Sequence, residues 1–136
     1  MTALSYQAEG THVLADLSGA APALLADSKR LEVLLRDAAV AAGATILHSH
    51  FHAFGPGQGV TGVVLLAESH ISIHTWPEQC FAAADIFMCG ASQPELALAV
   101  MRAALAPAAC EVRTVRRAAQ RLAGDGVLST EVGIAL

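Results

Sequence analysis

The stretch Leu65–Glu78 reads Leu-Leu-Ala-Glu-Ser-His-Ile-Ser-Ile-His-Thr-Trp-Pro-Glu and gathers much of the chain's reactive chemistry. It sets a serine, Ser69, and two histidines, His70 and His74, at the end of an apolar run. A serine hydroxyl is a weak nucleophile until a base activates it or the backbone strains it. Imidazole is the usual base near neutral pH. His70 adjoins Ser69, but neighbours on an extended strand point to opposite faces. His74, five residues on, has the opposite parity as well. Ser69 and His74 can therefore meet only if the chain turns or bulges near Ser69. On spacing alone, the plainer reading is a polar strand end whose histidines are hydrogen-bonded. Taken singly, Cys89 reads as a small buried hydrophobe, Phe54 as a core residue and Glu78 as a turn residue after Pro77.

The elements that must position these groups follow from periodicity. Thr11–Leu17 alternates as a first strand, and Gly19 and Pro22 then break the chain. Leu31, Leu34, Leu35, Ala38 and Ala42 recur at helical spacing, with Gly43 where a helix-ending glycine belongs. That predicts a helix over 28–42. Four β-rich stretches follow: Ala44–Phe54, Val60–Glu68, Ser69–Thr75 and Phe81–Met88. Gly55–Gly59 and Trp76–Glu78 punctuate them. Ser92-Gln93-Pro94-Glu95 has the form of a capping box, and Leu96, Val100 and Ala103 give the helix after it one face. Pro107 stops that helix, Cys110–Val115 forms a closing strand, and the tail from Arg117 carries no assignable element. Consecutive strands with short turns pair antiparallel. The class is α+β, a two-layer fold with helices on one face of an antiparallel sheet. Val63-Val64-Leu65-Leu66 has no polar alternate, so the other sheet face also needs cover, and a partner subunit is the natural one: the sheet faces pack through a dimer.

Composition narrows the class further. The chain has 136 residues, the size of a single domain, with 54% hydrophobic and 15% charged residues. Its longest apolar runs, Ala38–Leu47 and Val60–Ala67, are too short to span a bilayer. No signal peptide is read at the N-terminus. Three cysteines without a close-spaced pair fit a reducing cytoplasm better than a disulfide framework. The net charge is -4, and Arg113, Arg116, Arg117 and Arg121 read as a solvated edge, so nucleic acid is excluded as a partner.

The blocks Glu68-Ser69-His70, His74-Thr75-Trp76-Pro77-Glu78 and Phe87-Met88-Cys89-Gly90 together resemble the bacterial and archaeal S-adenosylmethionine decarboxylase proenzyme family. The likeness runs from Gly10 to Leu105. It implies that the Glu68–Ser69 bond breaks without a protease, leaving a β chain of residues 1–68 and an α chain of residues 69–136. The Ser69 hydroxyl would attack the Glu68 carbonyl, turning the amide into an ester. Loss of the Ser69 α-proton would expel the Glu68 carboxylate and leave dehydroalanine, which hydrolyses to a pyruvoyl group and ammonia. The resemblance makes His74 the proton acceptor of processing, Thr61 its hydroxyl support and Cys89 the proton donor of turnover. Phe54 and Glu78 match the substrate-binding positions, and no metal is called for. The chemistry is coherent. Decarboxylation leaves a carbanion, and an electron sink such as pyridoxal phosphate normally takes the charge. A pyruvoyl ketone would do so from within the peptide, holding the substrate amine as a Schiff base until Cys89 protonates the carbon.

S-adenosylmethionine, as the source of an aminopropyl donor for polyamine synthesis, is the substrate the resemblance implies. Three departures bear on it. Thr61 stands where serine is common, the Gly55–Val60 loop is one residue longer, and Gln79-Cys80-Phe81 replaces a glycine-tyrosine pair. L-Arginine or L-ornithine is the alternative substrate, with the same pyruvoyl chemistry. A different class of reading is a metal-binding module. His48, His50 and His52 alternate and would share one strand face, as ligands to zinc or nickel do, although no carboxylate or cysteine completes the set nearby. A third reading is an unprocessed partner subunit, against which stands the presence of Ser69, His74 and Cys89 together.

Overall fold

The computed structural model describes residues 8–118. The tail beyond Ala118, to which the sequence assigns no element, lies outside the described residues. Strand β1 spans Gly10–Ser18; the single-turn helix α1 (Pro22–Leu25) and helix α2 (Ser28–Ala41) follow. Strands β2 (Ile46–Ala53), β3 (Val60–Leu66), β4 (Ser69–Trp76) and β5 (Phe81–Cys89) come next, with a 3-10 turn over Pro77–Gln79. Helix α3 (Pro94–Leu105) and strand β6 (Ala109–Arg117) close the fold. The six strands form one sheet in the order β2-β3-β4-β5-β1-β6, with every pair antiparallel. β1 lies between β5 and β6, far from its sequence neighbours. The fold is α+β, as the sequence predicts.

Strand periodicity sorts the side chains into two layers. Val13, Ala15 and Leu17 of β1, Val60, Val64 and Leu66 of β3, and Ile71 and Ile73 of β4 are buried on one face. Ala82, Ala84, Ile86 and Met88 of β5 continue that face. The α2 stripe Leu31, Leu34, Leu35, Ala38 and Ala39 covers it beside β2 and β3. Helix α3 covers it beside β1 and β5. α2 begins on Asp27, whose side chain accepts from the Arg30 N–H, and Gly43 follows with φ +82. No helix among the described residues is long and apolar enough to cross a membrane.

Two expectations about α3 do not hold. Gln93, not Ser92, is the N-cap, and no side chain caps the helix. The cause is Pro94: the residue before a proline is pushed to extended backbone, so the helix starts at the proline itself. Gln93 is accordingly extended (φ −118, ψ 94) and donates its N–H to the Ala42 carbonyl at 3.0 Å. The buried stripe is Ala97, Met101 and Leu105 rather than Leu96, Val100 and Ala103, and Leu96 faces outward. The sequence also shows only a break where α1 makes its single turn.

Among the described residues, no helix covers the second sheet face. Cross-strand pairing lines it with His48, His50 and His52 of β2, Thr61, Val63 and Leu65 of β3, and His70, Ser72 and His74 of β4. Phe87, Asp85 and Ala83 of β5 and His12, Leu14 and Asp16 of β1 continue the rows. All six histidines of the chain stand on this face. Leu14, Leu65, Trp76 and Val115 are among its exposed apolar groups.

Candidate active site

Ser69 opens β4 directly after a two-residue turn, Ala67–Glu68, since Leu66 and Ser69 are paired. Glu68 takes φ +59, a left-handed conformation that costs a non-glycine residue roughly 1–2 kcal/mol. That strain sits on the residue whose carbonyl precedes Ser69. The Cys89 backbone N–H donates to Ser69 Oγ at 3.3 Å. Glu68 and Cys89 line one cavity of about 250 Å³ with Thr45, Gly90 and Ser92. Burial, and then the charge of Glu68, push the Cys89 thiol above its ordinary 9.0. Near neutral pH it is held as S–H.

The other predicted residues gather at the far end of β4. His74 and Thr61 are cross-strand partners, with Thr61 Oγ1 3.1 Å from His74 Nδ1. They line a cavity of about 220 Å³ with Phe54, Gly59, Trp76 and Glu78. Phe54 is exposed and meets the His52 ring edge-on at 4.6 Å. A larger cavity, about 380 Å³ between α2 and α3, contains none of these residues.

The structure therefore splits the predicted set in two. Glu68, Ser69 and Cys89 lie at one end, and Thr61, His74, Phe54 and Glu78 at the other. β4 runs between them as unbroken strand, and five residues of strand span about 17 Å. The turn that could have brought Ser69 to His74 lies before Ser69, not after it. Within one chain the two do not meet.

Two supporting residues escape the sequence reading. Gly10 pairs with Cys89, and a Cβ at Gly10 would lie 3.0 Å from Cys89 Sγ and 2.9 Å from the Met88 carbonyl. Only a glycine leaves the thiol its room. Thr75 is the one polar residue buried among the described residues: its hydroxyl accepts from the Val60 N–H at 2.9 Å and donates to the Leu25 carbonyl at 2.7 Å. It fixes the backbone beside Thr61 and His74 at once. No local signal reveals Gly10, because nothing in the sequence tells that β1 inserts beside β5.

The metal reading of the three alternating histidines finds no support in the geometry. His48, His50 and His52 share a face as expected, but they stand exposed on the edge strand β2. Among the described residues, the converging group is instead His12, His70 and Asp85.

The S-adenosylmethionine decarboxylase family model matches residues 11–118. The chain belongs to that family. An S-adenosylmethionine decarboxylase proenzyme of Parasynechococcus marenigrum is 46% identical over 119 residues, covering 87% of this chain and 92% of that protein. One from Methanococcus vannielii is 45% identical over 109 residues, covering 79% and 88%. In three dimensions, the adenosylmethionine decarboxylase of Aquifex aeolicus matches with a TM-score of 0.73 at 38% identity, over 79% of this chain and 89% of that one. The matched residues include both ends of β4.

Proposed function

We propose that the chain is a single-domain proenzyme that cleaves itself between Glu68 and Ser69 and, as a dimer, decarboxylates S-adenosylmethionine with the pyruvoyl group so formed. The observation that carries this reading is the arrangement at the scissile bond: a strained left-handed Glu68, the Ser69 hydroxyl at a tight turn, and a protonated Cys89 thiol beside them. Both relatives are proenzymes by name, which supports a precursor here.

These residues fit a pyruvoyl group derived from Ser69. Its ketone would supply the electron sink that a departing carboxylate requires. The chain's own side chains supply the rest. Left-handed backbone at Glu68 raises the energy of the amide that must break and is relieved when it does. His74, held by Thr61, accepts the proton that elimination releases. Cys89, kept as S–H by burial and by Glu68, has a proton to give to the substrate carbon. Phe54 offers a face for adenine, and Glu78 accepts from ribose hydroxyls.

The separation of about 17 Å is resolved by a second copy. A two-fold axis places surface patch i on patch j and j on i. Antiparallel stacking of two open sheet faces would set the Ser69–Cys89 end of one protomer on the Thr61–His74 end of its partner, twice over. It would also cover Leu14, Leu65, Trp76 and Val115. Three free cysteines suit the reducing cytoplasm expected for such an enzyme.

The test is kcat/KM on S-adenosylmethionine, L-arginine and L-ornithine. Turnover of S-adenosylmethionine with little of the other two is expected. Phe54→Ala should cost about 1 kcal/mol of transition-state binding, and Glu78→Gln about 1.5–3 kcal/mol. Efficient use of an amino acid in place of S-adenosylmethionine would overturn the substrate.

A further inference from the structure

We propose that His12, His70 and Asp85 form a binding site for a borderline divalent metal such as zinc. The three come from adjacent strands β1, β4 and β5, half-buried on the open sheet face, and their ligand atoms all lie within 4.8 Å of one another. His12 Nε2 is 3.1 Å from Asp85 Oδ2, and His70 Nε2 is 3.4 Å from Asp85 Oδ1. Zinc bonds of about 2.0–2.2 Å in a tetrahedron put neighbouring ligand atoms about 3.3–3.6 Å apart. Each nitrogen stands close to that spacing from its own oxygen of the Asp85 carboxylate. The imidazole rings cross at 85° with centroids 6.0 Å apart.

The donor set selects the ion. Two imidazole nitrogens and one carboxylate suit zinc, nickel or cobalt, whereas magnesium and calcium take oxygen donors. The Ser72 hydroxyl donates to Asp85 Oδ1 and orients the carboxylate, the usual support for a metal-binding acid. Arg117 Nη1 stands 3.4 Å from His12 Nδ1, where metal binding at Nε2 would leave the ring proton. Arg117 is exposed and also lies 5.6 Å over the Phe87 ring, the cross-strand partner of both histidines.

The location gives the site a role, which rests on the self-cleavage reading although the site itself does not. His12 belongs to residues 1–68, and His70 and Asp85 to residues 69–136. His70 would be the second residue of the α chain. A metal there staples the two products together and pins the new chain end one residue from the group derived from Ser69.

The experiment uses protein without an affinity tag, expressed in zinc-supplemented medium and assayed for bound metal. The same protein is then stripped with a chelator and titrated with zinc and magnesium by calorimetry. One zinc per chain and no magnesium binding are expected. Asp85→Asn and His12→Gln should each weaken zinc at least about tenfold while keeping a native circular-dichroism spectrum. Should one of them fail to fold, the other decides. The variant His48→Ala/His50→Ala/His52→Ala should keep the site, and so should Ser69→Ala, which cannot form a pyruvoyl group. Zinc should also raise the urea midpoint at which the two fragments separate, but not in His12→Gln. Absence of zinc, magnesium in its place, affinity unchanged in both variants, or affinity lost with the β2 histidines would overturn the proposal. Binding to Ser69→Ala keeps this outcome separate from that of the decarboxylase reading.

Discussion

Ser69 and His74 are separated by five residues of straight strand, about 17 Å, so a site that needs both must draw them from two chains. Two inactive variants should then rescue one another. Ser69→Ala has no nucleophile, and His74→Ala has no base. When the two are co-expressed with different tags, random pairing makes half of the dimers mixed. In a mixed dimer, one site combines Ser69 of the His74→Ala chain with His74 of the Ser69→Ala chain and is intact. The other site carries both lesions. One intact site of two, in half of the dimers, gives about a quarter of the wild-type sites. On a gel, about half of the His74→Ala chains should be cut after Glu68, and no Ser69→Ala chains. Carbon dioxide release from S-adenosylmethionine should recover to about a quarter of wild type. Purification through both tags should raise that to about half. If doubly tagged dimers form and neither cleavage nor turnover returns, the two residues act within one chain and the composite site is wrong.

The structure yields three further expectations. Gly10→Ala would drive a methyl against Cys89 Sγ and the Met88 carbonyl, at an overpacking cost of about 1–3 kcal/mol. Thermal unfolding should detect it, with turnover falling further than processing. Thr75→Val leaves the buried Val60 N–H and Leu25 carbonyl without their partner and should lose about 2 kcal/mol or more in urea unfolding, with Thr75→Ser restoring most of it. In the Ser69→Ala precursor, alkylation of Cys89 followed by peptide mapping should show a midpoint above pH 9.0, because burial and Glu68 both disfavour the thiolate. Glu68→Gln should lower that midpoint part of the way; a midpoint below 9.0 would refute the protonated-donor argument.

Local periodicity sufficed for most elements, because both periods are written in consecutive residues. β3, β5 and α2 differ by a residue or two from their predicted limits. The α3 cap failed because a motif of types ignored the backbone restriction that Pro94 places on Gln93. The parity argument for Ser69 and His74 holds in the structure, and their separation follows from it. What the sequence could not reveal is non-local. β1 inserts between β5 and β6, which puts Gly10 opposite Cys89 and His12 beside Asp85. Those contacts join residues more than 70 positions apart, and no spacing rule reaches them. The motif residues were legible as chemistry; their division between two ends of a strand was not.

The central claim is that Ser69 becomes a pyruvoyl group by self-cleavage, and an intact-mass spectrum of the purified wild-type protein tests it most directly. The account predicts two chains of 68 residues each, since the 136-residue chain is cut after residue 68. The chain beginning at position 69 should be lighter by one ammonia than the same chain with an N-terminal serine. A single uncut chain after prolonged incubation, or a cut chain that retains its serine amine, would contradict it.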